Sequence, residues 1–241
     1  MIETHADIQT PGGAMNTFIV CPDEQGPHPI VLFLMDAPGK REELHDMARR
    51  IATAGYYVML PNLYYRRARE FVIDGTPNSR EVMFGHMNSL SNAMVVDDCR
   101  ALLSYADSDQ HARPGYCAVI GYCMSGSFVF AAAAQLSDRV RASASIHGVR
   151  LMTDAADSPH LTANQIQGEI YFGCAETDDW APPAMIAALD AHLATTGITY
   201  RIEWYPGTHH GFVFPQRGAI YAKPAAERHW ERLFSLFKRN L

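Results

Sequence analysis

The stretch "GYCMSGSFVFAAAA" spans residues 121–134, and its reading decides how the rest of the chain is read. Gly121 and Ser125 stand two positions either side of Cys123, and Gly126 and an alanine run follow. The preceding "YCAVIG" (116–121) is an apolar strand candidate, and residues 125–136 are a helix candidate. A nucleophile elbow places its reactive residue at the tip of such a strand-to-helix turn, where close backbone approach demands small neighbours. A cysteine there sits above the sheet edge at a helix N-terminus, whose partial positive charge and free N–H groups favour a thiolate and an oxyanion. Free cysteines are more often buried packing residues. That is the reading of Cys21, Cys99, Cys117 and Cys174, which lack such a context.

Working outward, the elements alternate. Residues 2–9 and 14–20 read as a hairpin about Pro11-Gly12-Gly13, and "PIVLFLM" (29–35) is a continuous apolar run of the kind buried parallel strands show. "REELHDMARRIATAG" (41–55) carries Leu44, Met47, Ala48 and Ile51 at helical spacing and stops at Gly55. The strand "YYVMLP" (56–61) follows, then an irregular stretch over 62–88, where a lid would be sought, and a helix around 90–106. Beyond the elbow, "ASASIH" (142–147), "EIYFGC" (169–174) and "TYRIEWY" (199–205) read as strands, with helices over about 183–195 and 224–239. Such alternation predicts an α/β fold: a mostly parallel eight-stranded sheet with helices on both faces, opened by an antiparallel hairpin, which is the α/β-hydrolase pattern.

Length and composition narrow the function. At 241 residues a single domain over 1–241 is expected. A formal charge of -6, without an extended Lys/Arg cluster, argues against a nucleic-acid partner. Five cysteines without a C-x-x-C, and no H-E-x-x-H, suggest neither a disulfide framework nor a zinc site, so no metal and no cofactor are implied. "MIETHADIQTPGG" has no signal-peptide character, and no apolar run approaches the roughly 18 residues of a membrane span. A cytoplasmic protein with reduced thiols, no membrane partner and a monomeric or homodimeric state is the expectation.

In the elbow topology the acid follows a later strand and the histidine follows the last one. "AETDDWAPP" (175–183) offers Glu176, Asp178 and Asp179, with Asp178 preferred over Asp179; "PGTHHGF" (206–212) offers His209 and His210, with His210 preferred. The carboxylate would hold one ring nitrogen so that the other takes the thiol proton. The amide of Met124, and one from the loop after the strand ending at Met35, placed at Ala37, are the expected oxyanion donors. His5, His28, His45, His86, His111, His192 and His229 read as surface or satisfied core residues.

Taken together, "LMDAPGKREELHDMARRIATAGYYVMLPNLYYR" (34–66), G-Y-C-M-S-G (121–126), D-D-W-A-P (178–182) and H-G-F (210–212) resemble the dienelactone hydrolase family over essentially the whole chain. The resemblance implies a Cys123–Asp178–His210 triad and a small-molecule ester or lactone substrate. It also places at Asp36 the acidic residue that manages the proton of the resting thiol; simple hydrogen bonding to its loop is the other reading. The chain departs from the chloroaromatic-pathway members four residues after the histidine, where Phe214 replaces their carboxylate-binding arginine; Arg80 is the candidate to supply that contact. Tyr64, Tyr65, His147 and Trp180, at strand C-termini, are the other substrate-binding candidates.

The chemistry expected is hydrolysis through a thioester, suited to enol lactones and aryl esters. Acyl transfer or thioester hydrolysis on the same site, a noncatalytic binding module and a thiol redox sensor are the alternatives.

Overall fold

A computed structural model describes residues 1–241. The chain packs as two compact units, Met1–Cys117 and Ala118–Leu241. Its eight strands, numbered along the chain, lie in the order 1-2-4-3-5-6-7-8 in one sheet.

In the first unit, β1 (Ile2–Thr10) and β2 (Gly13–Cys21) form the expected hairpin, paired antiparallel from Ile2 opposite Cys21 to Thr10 opposite Gly13. β2 continues antiparallel onto β4 (Tyr57–Pro61), and β3 (His28–Leu34) runs parallel to β4. β3 is apolar and buried from Ile30 to Leu34, as a strand covered on both faces must be. α1 (Glu42–Thr53) buries Leu44, Met47, Ala48 and Ile51 on one stripe and is followed by Gly55 at φ +99°, a left-handed exit that suits glycine. α3 (Asn92–Ala106) starts at Ser91, whose hydroxyl accepts from the Met94 amide.

The stretch read as irregular, 62–88, contains a helix instead, α2 (Pro77–Met87). Its start was legible: Thr76 caps the Ser79 amide and Pro77 occupies the first turn. Its body was not, because only Ser79, Met83, His86 and Met87 are buried and no apolar periodicity marks the face.

In the second unit, the end of β5 (Ala112–Tyr122) leads into α4 (Ser125–Gln135). Every residue from Ser125 to Ala134 is buried. A helix buried all round shows no amphipathic signal, and its alanines allow close packing. β6 (Val140–Ile146), β7 (Glu169–Thr177) and β8 (Thr199–His209) are parallel neighbours. α5 (Pro183–Leu193) and α6 (Lys223–Asn240) complete the unit, with 3-10 turns at Pro159–Gln165 and Pro215–Ile220. β8 runs to His209 rather than ending at Tyr205. Past an irregularity between Ala175 and Thr177 it re-pairs, with Thr177 opposite His209, and thereby carries the histidine pair alongside the end of β7. No helix is long and apolar enough to cross a membrane.

Candidate active site

Cys123 lies at φ +55°, in the left-handed region that a non-glycine residue enters rarely and at a cost. The turn is locked from both sides: the Cys123 amide donates to Ile146 O at 3.1 Å, and Cys123 O accepts from the amides of Gly126 at 3.1 Å and Val149 at 3.0 Å. The spacing of small residues has a direct steric cause. A Cβ on Gly121 would come within 2.8 Å of Ser125 Cβ and Val129 Cγ2, and one on Gly126 within 2.5 Å of Ser145 Oγ. All five cysteines are free; Cys123 is the one not fully buried. Cys174 behaves as a packing thiol, pushed up to about 12 by burial and then by the Asp178 charge.

Asp178 follows β7 directly. Its Oδ1 accepts from the amides of Trp180 at 2.9 Å and Ala181 at 3.1 Å, and its Oδ2 lies 2.7 Å from Nδ1 of His210. A carboxylate can only accept, so Nδ1 carries the proton and Nε2 is left as the working nitrogen. Asp179 is exposed, and Glu176 accepts from the Gly207 amide at 2.8 Å, so neither of them meets the ring. His209 is exposed as well. Burial works against a charged His210, but the Asp178 hydrogen bond and then the interaction with Cys123 outweigh it and raise the ring to about 9. Nε2 of His210 is buried and makes no well-formed hydrogen bond, so the influence of Cys123 acts at close range without ideal donor geometry.

One ring, His147, packs on His210, and further aromatic rings close around His147. His147 meets His210 edge-to-face with centroids 4.7 Å apart and also touches Phe212 at 5.9 Å, Phe214 at 5.6 Å and Tyr122 at 5.9 Å. Tyr122 is fixed in turn: His229 Nδ1 donates to Ala226 O at 3.0 Å, so its Nε2 accepts the Tyr122 hydroxyl at 2.9 Å. His147 is 1 % exposed and held well below the usual imidazole range, first by burial and then by its histidine neighbours His210 and His229. No group of three or more His, Cys, Asp or Glu side chains is arranged to hold a metal ion.

The sequence model of the Dienelactone hydrolase family matches residues 15–241. The chain belongs to the dienelactone hydrolase family. It is 28% identical over 229 residues to a Synechocystis protein named "Putative carboxymethylenebutenolidase", covering 93% of this chain and 91% of that one. It is 24% identical over 245 residues to the Rhodococcus opacus carboxymethylenebutenolidase, covering 98% and 92%. The crystal structure of a "Putative Dienelactone Hydrolase" from Klebsiella pneumoniae superposes with a TM-score of 0.87 at 23% identity, covering 98% of each chain, which is a likeness of fold. As a member of the dienelactone hydrolase family the chain has the α/β-hydrolase fold and is a hydrolase.

Set against the dienelactone hydrolase pattern, the remaining predicted residues divide by what already holds them. Phe214, expected at the substrate, is fully buried, packing on Tyr122 at 5.5 Å as well as on His147. Arg217, which the sequence reading passed over, lies over the Phe214 ring at 5.6 Å. No fixed offset from the histidine pointed to it; only the 3-10 turn at 215–220 brings it back. Trp180 is 51% exposed beside the acid. Ser125, directly after Met124, opens α4, so the Met124 amide lies at a helix N-terminus, as an oxyanion donor would.

The first-unit candidates have well-defined local partners. Asp36 is fully buried and grips Arg41 through two contacts, at 2.5 and 3.3 Å, while Arg41 also reaches Glu43 at 2.7 Å. The Tyr64 hydroxyl donates to Ala37 O at 2.8 Å, so this buried tyrosine braces the loop rather than standing open to a ligand. The Tyr65 hydroxyl is engaged by Thr10 at 2.6 Å and Asp98 at 2.8 Å. Arg80 is exposed on α2 with its guanidinium over Phe84 at 5.7 Å.

Proposed function

We propose that this hydrolase cleaves carboxylic esters or lactones through a thioester on Cys123, with His210 as acid–base and Asp178 as its orienting carboxylate. The observation that carries this reading is the 2.7 Å Asp178–His210 bond, which fixes the proton on Nδ1 and leaves Nε2 open beside the strained Cys123 turn.

The ring of His210 is raised to about 9, so it holds the proton at neutral pH while the Cys123 sulfur acts as the nucleophile. The sulfur attacks the carbonyl carbon, and the Met124 amide at the head of α4 stabilises the oxyanion. The C–O bond to the leaving group then breaks, and His210 delivers its proton to the departing alkoxide or enolate. Once the sulfur is acylated its charge is gone, and with it one of the causes holding the ring protonated. The now neutral Nε2 takes a proton from water, whose oxygen attacks the thioester. The thioester C–S bond then breaks, the carboxylic acid leaves, and the sulfur is back beside the protonated ring.

A stable leaving group favours acylation of a cysteine, so enol lactones and aryl esters should react ahead of simple alkyl esters. The carboxymethylenebutenolidase name shared by several relatives supports the enol lactone as substrate class. The five free thiols suit a reducing, cytoplasmic setting.

The test is intact-mass analysis after rapid mixing with a 4-nitrophenyl ester. A transient acyl adduct on Cys123, absent from Cys123→Ala and without turnover in His210→Ala, is expected. Full hydrolysis by Cys123→Ala would overturn the reading.

A further inference from the structure

His147 has a polar capacity that its surroundings do not use. Both ring nitrogens are buried and neither makes a well-formed hydrogen bond, the polar contact at hand being a weak one to the residue's own backbone. A phenylalanine would make the same ring contacts, whereas a buried polar nitrogen left without a good hydrogen bond has lost its water for nothing. The backbone adds to this: His147 sits at φ +37°, in the left-handed region, with its amide donating to Gly173 O at 2.7 Å. A side chain so placed, at such cost, calls for a partner that arrives with the reaction.

The position of His147 relative to the nucleophile says which part of the substrate that partner is. Ile146, directly before it, and Val149, two residues after it, are tied to the backbone of Cys123, the one through its carbonyl and the other through its amide. The ring is therefore fixed in register with the sulfur, to which the acyl group becomes bonded, and not with the leaving group, which departs. Nε2 of His210 is equally enclosed in the resting protein, yet the reaction must reach it. The group that opens the site to His210 meets His147 on the adjoining ring, 4.7 Å away between centroids.

We propose that His147 is a specificity-determining residue that donates a ring N–H hydrogen bond to an uncharged oxygen, such as an ether, ketone or ring oxygen, on the acyl portion of the substrate. This rests on the reading of Cys123 as the acylated nucleophile. The charged or titratable groups around the ring are His210, His229 and Arg217, all cationic when protonated, together with the Tyr122 hydroxyl. They disfavour a second cation at His147 and leave a neutral donor.

Two esters of equal chain length test it, 4-nitrophenyl methoxyacetate and 4-nitrophenyl butanoate, with kcat/KM measured for wild type, His147→Phe and His147→Gln. The expected result is a methoxyacetate-to-butanoate ratio at least fivefold lower in His147→Phe than in wild type, recovered in large part by His147→Gln, which restores a donor. Iodoacetamide labelling of Cys123 is expected at similar rates in all three proteins. A ratio unchanged in His147→Phe, with both esters falling together, would overturn the proposal and make the ring a packing element. Turnover of both esters that persists in Cys123→Ala would instead remove the underlying reading, and the proposal with it.

Discussion

Asp178 and His210 are joined at 2.7 Å through Oδ2 and Nδ1, while the other carboxylate oxygen is held by the amides of Trp180 and Ala181. The carboxylate is thus held in place on one oxygen while the other meets the ring. Asp178→Asn keeps the shape but replaces an obligate acceptor with a group that can present N–H to Nδ1, favouring the wrong tautomer. A fall in kcat of about 10³–10⁴-fold is expected, by analogy with the serine triad, with the fold retained. Steady-state hydrolysis of a 4-nitrophenyl ester alongside circular dichroism checks it; a loss under tenfold would deny Asp178 this role.

The ring of His210 is raised to about 9, so it should remain protonated through neutral pH and release its proton only as pH rises through that value. Cys123 is one of the named causes of the rise. In Cys123→Ala the midpoint should therefore move down, toward the ordinary histidine value near 6.5, with Asp178 still holding it partly up. NMR titration of the imidazole nitrogens reads both midpoints. A Cys123→Ala midpoint equal to that of the wild type would show that the sulfur does not influence the ring.

Gly126 has no room for a methyl group, since its Cβ would stand 2.5 Å from Ser145 Oγ, and the contact lies where α4 crosses the end of β6. Gly126→Ala should cost about 1–3 kcal/mol, typical of overpacking. That corresponds to a melting temperature lower by roughly 3–9 °C for a chain of this size. Scanning calorimetry measures it, and hydrolysis should fall as well because the same contact shapes the turn.

Arg41 shares its guanidinium between Asp36, which is fully buried, and Glu43. Arg41→Met strands a buried carboxylate and should cost about 3–5 kcal/mol. The double variant Asp36→Asn/Arg41→Met should recover much of the loss, because the uncompensated charge is then removed. Urea denaturation of the two variants separates this from a simple packing defect, for which the double variant would be no better than the single one.

Periodicity and turn chemistry were enough for the sequence to determine the alternation of strands and helices, the strand-to-helix turn at Cys123, and the two loops from which Asp178 and His210 meet. These are local matters: Gly121 and Ser125 are small because of contacts made within one turn, and Gly55 ends α1 through its own backbone freedom. α2 escaped because a helix with few buried residues leaves no apolar rhythm. Only the tertiary structure decided which of Asp178 and Asp179 turns inward, since adjacent carboxylates differ in direction and not in chemistry. It decided that the hydroxyls of Tyr64 and Tyr65 are held by Ala37, Thr10 and Asp98, that Phe214 is a buried packing ring, and that Arg217 lies over it. It alone left both nitrogens of His147 without a well-formed hydrogen bond. Each of these depends on hydrogen bonds and ring contacts between residues remote in sequence, which a pattern read along one chain does not encode.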